Sequence, residues 1–235
     1  YTVLKRTMKV QAGTVANVNF AMHDSPSKSL RQMQKKFEGT ITFGLEYQDL
    51  PAEMAAMAAM LPDEMVSRIK GDKTRMEQSM GMGMSQVTIS NTKTESGTLL
   101  MDMMGKKMAV EMNKEELEKM NPEKAAQKPE FKYISGEEKE VAGYKCKKAI
   151  VSLEGVGEMV VYYTEELPAG ANQQYEGLKG FPLEYTMDSG QFKVMVTATE
   201  VKTEKLDNSL FEIPDGFEKL TFEEFQKAMG GMMGG

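Results

Sequence analysis

The sequence predicts a mainly β protein, built as a curved antiparallel sheet or half-open β-barrel with a few short helices. Short stretches of alternating apolar and polar residues recur across residues 37–217, and turn-forming residues separate them. Of the 235 residues, 40% are apolar and 27% are charged. These are ordinary values for a globular chain that buries a core.

Each alternating stretch predicts one strand with an apolar face, because successive side chains of a strand point to opposite faces. Gly71-Asp72, Gly105-Lys106 and Ser189-Gly190 are turn pairs that join neighbouring stretches into hairpins. The predicted strands are residues 41–47, 66–70, 74–80, 87–90, 99–104, 107–112, 144–153, 158–163, 183–187 and 192–199.

Three short helices are expected among the strands. Residues 52–61 carry methionines at three-residue spacing on an alanine background, which favours a helix. A capping box from Asn113 to Glu116 opens a second helix that ends at Met120. A third begins with the capping box of residues 221–224 and ends near Met229, where two glycines follow.

The sequence divides into three regions. Residues 1–36 are an N-terminal extension, residues 37–225 are the β domain, and residues 226–235 are a helix end with a Gly/Met tail. Within the β domain, residues 121–130 form a polar linker between two halves of the sheet.

The N-terminal extension contains one predicted strand at residues 14–22, followed by a polar tether. Its apolar face, the candidate partner-binding surface, consists of Ala16, Val18, Phe20 and Met22. Such a strand can pair within its own chain or add to a neighbour's sheet.

The sequence lacks the residue combinations and motifs that are typical of enzyme active sites. His23 is the single histidine and lies on a polar turn, so we expect a solvated loop residue. Cys146 is the single cysteine, and we expect a small buried hydrophobe rather than a reactive thiol. The Gly-Met repeat of residues 81–84 lacks the strand–turn–helix context of a dinucleotide site. We therefore expect no enzyme activity and no cofactor.

Charge and hydropathy exclude two further classes. The formal net charge is −6, with both signs mixed along the chain, whereas a nucleic-acid-binding protein shows a basic face. No run of 18 apolar residues exists, so the sequence predicts no transmembrane helix.

Methionine is the unusual feature of the composition, with 23 methionines and no tryptophan. Met80, Met82 and Met84 are spaced suitably for copper(I), which thioethers bind, and we expect weak binding at most. The alternative interpretation is adaptable core filling, or a yielding apolar surface that accepts varied ligands.

Five segments together resemble domain-of-unknown-function family 4412 of Bacteroidota, over about residues 37–225. They are residues 37–43, 69–75, 143–149, 180–185 and 211–217. The resemblance implies an exported, periplasmic or surface protein with a strongly curved antiparallel sheet. That shape is similar to the outer-membrane lipoprotein carrier proteins, which shelter acyl chains on a concave face. The family implies no activity and no functional residues, and residues 1–36 depart from its usual pattern.

Two functional hypotheses follow. The first is a non-enzymatic exported protein that binds an apolar or lipid-like ligand on a concave sheet face. The second is a structural subunit of an extracellular or surface assembly, which self-associates through strand donation by residues 14–22.

Overall fold

The structure is a computed structural model and describes residues 6–10, 14–18, 37–55, 58–120, 129–153, 157–167, 169, 175, 177–188 and 191–233. The chain divides into two compact units after Gln32. The first unit contains a hairpin of β1 (Arg6–Val10) and β2 (Thr14–Val18), paired antiparallel from Val10 opposite Thr14. The predicted strand at residues 14–22 thus begins at the expected residue, and the sequence analysis missed its partner β1.

The second unit is a twelve-stranded sheet. Its strands are β3 (Glu38–Gln48), β4 (Glu64–Lys70), β5 (Lys73–Met80), β6 (Met84–Asn91), β7 (Ser96–Met103), β8 (Lys106–Met112), β9 (Glu130–Val141), β10 (Tyr144–Leu153), β11 (Gly157–Thr164), β12 (Phe181–Asp188), β13 (Lys193–Thr203) and β14 (Glu218–Leu220).

The two edge strands of the sheet are β14, from near the C-terminus, and β9, from the middle of the chain. From edge to edge, the order of the strands is β14-β8-β7-β6-β5-β4-β3-β13-β12-β11-β10-β9. The chain runs outward from β3 to β8, restarts at β9 on the opposite edge and returns through β13 to pair with β3. All neighbours are antiparallel except β14, which is parallel to β8. The sheet is therefore mixed and open, and the predicted antiparallel sheet needs this one correction.

The sheet curves around its largest core cluster. This cluster joins apolar residues of β3 and β4 to those of β9 through β13 on one side of the sheet. Cα atoms of β9 lie within 8 Å of Cα atoms of β13, although three strands lie between them. Leu167, Tyr175 and Leu178, from the connection between β11 and β12, are buried in the same cluster. The concave side of the β9–β13 half is therefore filled by the chain's own residues.

The segment after β13 crosses the other side of the sheet. Leu206 and Phe211 are buried against Ile89 and Leu100, and a 3-10 helix, Asn208–Phe211, shapes the crossing. We call residues 204–217 the strap. It leads into the edge strand β14 and then into a terminal helix, which covers the opposite side through Phe222 and Phe225.

The three helices differ from their predicted extents in two cases. In place of one helix over residues 52–61, the structure has α1 (Ala52–Ala55) and a 3-10 helix, Ala58–Met60. Neither buries a residue, and without a buried face a longer helix lacks the packing that stabilises it. The second predicted helix is confirmed as α2 (Lys114–Met120).

The terminal helix α3 (Phe222–Met233) runs past Gly230 and Gly231, so the predicted end near Met229 is wrong. Glycine costs only about 1 kcal/mol in a helix, which packing of the first turns offsets. Both predicted capping boxes are present. The Glu116 amide donates to Asn113 Oδ1 at 3.1 Å, and the Thr221 amide donates to Glu224 Oε2 at 2.8 Å.

Candidate functional site

The register of β3 through β8 defines two faces. Residues that are directly opposite in antiparallel strands share a face. One such row runs Ile41, Ser67, Met76, Thr88, Leu99 and Val110. We call the side that carries this row the methionine face. Because Leu45 and Tyr47 on this side pair with Val196 and Val194 of the core cluster, it continues the concave side of the sheet.

Every methionine in these six strands lies on the methionine face. They are Met65, Met76, Met80, Met84, Met101, Met103, Met108 and Met112. On this face of β3–β8 the one charged residue is Lys106, which is exposed at the start of β8. The opposite face carries the charged residues, among them Arg68, Arg75 and Glu77.

The two ends of the methionine face are covered, and its middle is not buried to the same degree. Toward β3, Met65 is buried in the main core. Toward β8, Met112 is buried beneath α3. Between them lies a set of half-buried residues that we call the methionine trough, namely Gln78, Met80, Met84, Gln86, Met101 and Met103.

The hairpin topology brings the predicted methionine clusters to one end of the sheet. The β3–β4 connection and the β5–β6 and β7–β8 turns all lie at this end, because consecutive hairpins alternate between ends. Met82 and Met104 are 63% and 73% exposed, and they have positive φ angles of 63° and 57°. Met104 and Gly105 form the two-residue β7–β8 turn with both φ angles positive, as in a type I′ turn. The turn lies one residue earlier than predicted.

The β3–β4 connection, described for residues 49–55 and 58–63, packs against the end of the methionine trough. A Cβ atom on Gly81 would lie 2.8 Å from the Ala59 carbonyl oxygen, so the two backbones are in close contact. Tyr47 Oη donates to the Pro62 carbonyl oxygen at 2.6 Å, which ties β3 to the last residues of the connection. Burial, and then the nearby Asp63 charge, raise the pKa of Tyr47.

The copper prediction concerns three residues of this region. Met80 and Met84 are directly opposite each other on the methionine face, whereas Met82 occupies the exposed tip of the turn. The described residues contain no group of three or more His, Cys, Asp or Glu side chains that could hold a metal ion. Weak copper(I) binding through thioethers stays a prediction.

The predicted partner-binding residues belong to the first unit. Ala16 and Val18 lie in β2, opposite Met8 and Arg6 of β1. Phe20, Met22 and His23 lie outside the described residues. Strand donation by residues 14–22 stays a prediction, and it now concerns a strand that already has a partner along one edge.

Cys146 and three tyrosines are buried in or around the core. Burial raises the pKa of the Cys146 thiol to about 11, against a smaller opposite effect of the Lys139 charge. Burial also raises the pKa of Tyr163 to about 12, and it raises the pKa values of Tyr175 and Tyr185 further. A thiol that keeps its proton is a poor nucleophile. The expected burial of Cys146 is confirmed.

The two clefts found at the β9 edge are polar. One, of about 330 Å³, lies at the bulge of β9 between Tyr133, Glu138, Lys147 and Lys179. The other, of about 400 Å³, is lined by Glu138, Lys139, Glu140 and Lys145. Charged walls make both clefts unsuitable for an apolar ligand.

Residues 37–217 match the family model of DUF4412, the domain of unknown function with the number 4412. The chain belongs to family 4412. The match begins at the strand that opens the sheet and ends with the strap. Family membership confirms the resemblance found in the sequence. The matched residues include all six strands of the methionine face.

Several solved structures are similar to this family 4412 chain at low identity. An uncharacterised conserved protein from Thermus thermophilus is 11% identical, with a TM-score of 0.49, over 84% of this chain and 99% of that chain. LprF from Mycobacterium bovis is 11% identical, with a TM-score of 0.35, over 83% and 100%. A beta-barrel-like protein of family DUF1849 from Brucella abortus is 9% identical, with a TM-score of 0.35, over 72% and 98%.

No curated protein matches the chain. In the described part of the chain, none of the helices has the length and hydropathy of a membrane-spanning segment.

The sequence analysis found the methionines but missed their polar neighbours Gln78 and Gln86. Both lie on the methionine face, and each is two residues from a methionine of the same face. The alternation Met76, Gln78, Met80 was visible in the sequence, and it indicates the shared face. Their position opposite each other could not be derived, because it depends on the register of β5 against β6.

Proposed function

We propose that this protein is a non-enzymatic cell-envelope protein that holds an apolar, acyl-chain-like ligand on the methionine trough. The observation that supports this best is the segregation of the methionines within β3–β8, because all eight of them lie on one face of these six strands. A side chain that served only as filler would have no reason to avoid the other face, where Ile89 and Leu100 form a second core under the strap.

Methionine suits this role because of its side-chain chemistry. The thioether is unbranched and polarizable, so a methionine surface adapts to apolar ligands of different shape. Extending one alkyl chain over four half-buried methionines would also remove apolar surface from water, which favours binding by roughly 25 cal/mol per Å².

The location in the cell envelope and the lack of enzyme activity are parts of the same proposal. Sequence features that support them are the single histidine, the single cysteine and the absence of nucleotide motifs. The protonated state of buried Cys146 also fits a protein without a thiolate nucleophile. We expect no turnover of ester, phosphate or glycoside substrates that a single substitution in this protein would abolish.

The ligand hypothesis is tested by native mass spectrometry of the protein after export to the periplasm of a bacterial host. We expect a mass adduct that dissociates as a lipid. Met84→Lys places a charge in the methionine trough and should remove the adduct, because an unpaired charge in an apolar contact is costly.

Ser85→Lys is the matched control, because Ser85 is the next residue of β6 and lies on the opposite face, opposite Asp102. This variant should keep the adduct. A protein that carries no adduct, or one that both lysine variants lose equally, would contradict the proposal.

A further inference from the structure

Gln78 and Gln86 are directly opposite each other on β5 and β6, in the centre of the methionine trough. The register continues the row from Met65 through these two glutamines to Met101 and Met108. Two carboxamides therefore interrupt a row that otherwise consists of methionines. Both are half-buried.

Within the described part of the chain, neither side-chain amide has a hydrogen-bond partner. Each amide offers two N–H donors and one carbonyl acceptor. Because both side chains are half-buried, water can reach their amides in the free protein. If a purely apolar chain covered the trough, the amides would lose that water and gain no partner, which costs free energy.

The charges around the trough determine which polar partner fits. Lys106 is the one charged residue on the methionine face of β3–β8 and is exposed at the edge of the trough. The adjoining connection carries Asp49, Glu53 and Asp63, which are all acidic. An anionic head group placed at the glutamine pair would meet no cation on this face of β5 or β6, and the charged residues of the adjoining connection are all of its own sign.

We propose that Gln78 and Gln86 bind the uncharged, hydrogen-bonding head group of an amphiphile, such as an alcohol, ester or amide. The alkyl chain of the amphiphile lies on Met80, Met84, Met101 and Met103. This inference rests on the proposed function, and it adds the class of ligand and the two residues that select it.

The test uses the full chain with ¹³C-labelled methionine methyl groups, observed by NMR. Octanol, octane and octyl phosphate share one chain and differ in the head group. Titrations follow the methyl signals of the methionine trough, assigned by single Met→Leu variants. In the wild-type protein we expect octanol to bind more tightly than octane or octyl phosphate.

The double variant Gln78→Leu/Gln86→Leu should lower the affinity for octanol about five-fold or more, the effect of losing one or two net hydrogen bonds. Its affinity for octane should be unchanged or higher. Gln48→Leu is the control, because Gln48 is a half-buried glutamine of β3 on the opposite face. This variant should keep the wild-type order of affinities, in which octanol binds more tightly than octane or octyl phosphate.

Each failure of this test has its own meaning. If the trough signals shift with octanol but the double variant binds octanol like the wild type, the glutamines do not bind the head group and the inference is wrong. If octyl phosphate binds most tightly and Lys106→Gln removes that preference, the head group is anionic and the inference is also wrong. If no probe shifts the trough signals, the proposed function fails and the inference falls with it.

Discussion

The environment of a single residue in this protein depends on the strand face that it occupies and not on the charges of its neighbours in sequence. Cys146 lies between Lys145 and Lys147, a setting that would activate an exposed thiol. The strand separates them, because Cys146 is buried whereas both lysines are exposed. Its thiol pKa is therefore raised by burial and not lowered by charge.

We expect native Cys146 to resist alkylation by iodoacetamide at a pH of about 8.5, and to react quickly once the chain is unfolded in urea. The reaction needs the thiolate, and the folded thiol keeps its proton up to a pH of about 11. Mass spectrometry after a timed quench measures the modified fraction. Rapid alkylation of the native protein would show that the residue is accessible and ionised.

The same shift predicts a pH dependence of stability. A raised pKa in the folded state means that the thiol's contribution to stability is present below the unfolded value of about 9, and is lost as pH rises through about 11. Urea unfolding of the wild type and of Cys146→Ala between about pH 8 and pH 11 measures the free energy of unfolding. This free energy should fall more steeply with rising pH in the wild type than in the variant. If the free energies of unfolding of the two proteins fell in parallel with pH, the raised pKa of the Cys146 thiol would be contradicted.

At the scale of elements, the strap is the part of the fold that joins distant segments. Hydrogen bonds hold the strap as well as apolar contacts, because Arg75 Nη1 of the sheet donates to the Leu210 carbonyl oxygen of the strap at 2.8 Å. The Leu206 amide donates to Glu38 Oε1 at 2.7 Å, which connects the strap to the first strand of the sheet. The pKa of Glu38 is lowered by that backbone hydrogen bond and by Lys70.

Phe211→Ala should lower the free energy of unfolding by about 3 kcal/mol, because it removes a buried aromatic ring and leaves a cavity. Phe211 is buried against β6 and β7 residues. The control is Leu210→Ala on the same 3-10 helix, which is only half-buried and should cost less than half as much. Equal losses in urea unfolding would mean that the ring does not anchor the strap.

The elements also show which parts of the fold are readable in the sequence. Hairpins were predictable because both strands and the turn are local, as with Gly71-Asp72 between β4 and β5. β9 was not predicted as a strand. The strap, β14 and the position of β9 at the far edge were not predicted, because each depends on contacts between residues far apart in the sequence. Residues 52–61 had helical composition, but neither of the two short helices formed there buries a residue.

At the scale of the whole molecule, the two units make the role of the N-terminal hairpin testable. The first unit has its own strand pairing between β1 and β2. A chain that starts at Met33 should therefore keep the thermal unfolding midpoint of the full chain, measured by circular dichroism. A large drop would show that the second unit needs the first.

Sedimentation of the same two proteins tests strand donation. If residues 14–22 pair with a neighbour, the full chain associates and the shortened chain is monomeric. Phe20→Asp should then abolish association and Asn19→Asp should spare it, because the two side chains alternate in the predicted strand. A full chain that is already monomeric would contradict the assembly hypothesis.

The central claim, that a ligand covers the methionine trough, is tested most directly by oxidation of the methionines themselves. Limited hydrogen peroxide converts solvent-accessible thioethers to sulfoxides, and peptide mass spectrometry locates each product. Octanol should slow the oxidation of Met80, Met84, Met101 and Met103 and leave that of Met82 and Met104 unchanged, because these two lie at exposed turn tips beside the trough. Equal protection of the tip and trough methionines, or protection of neither, would contradict the claim.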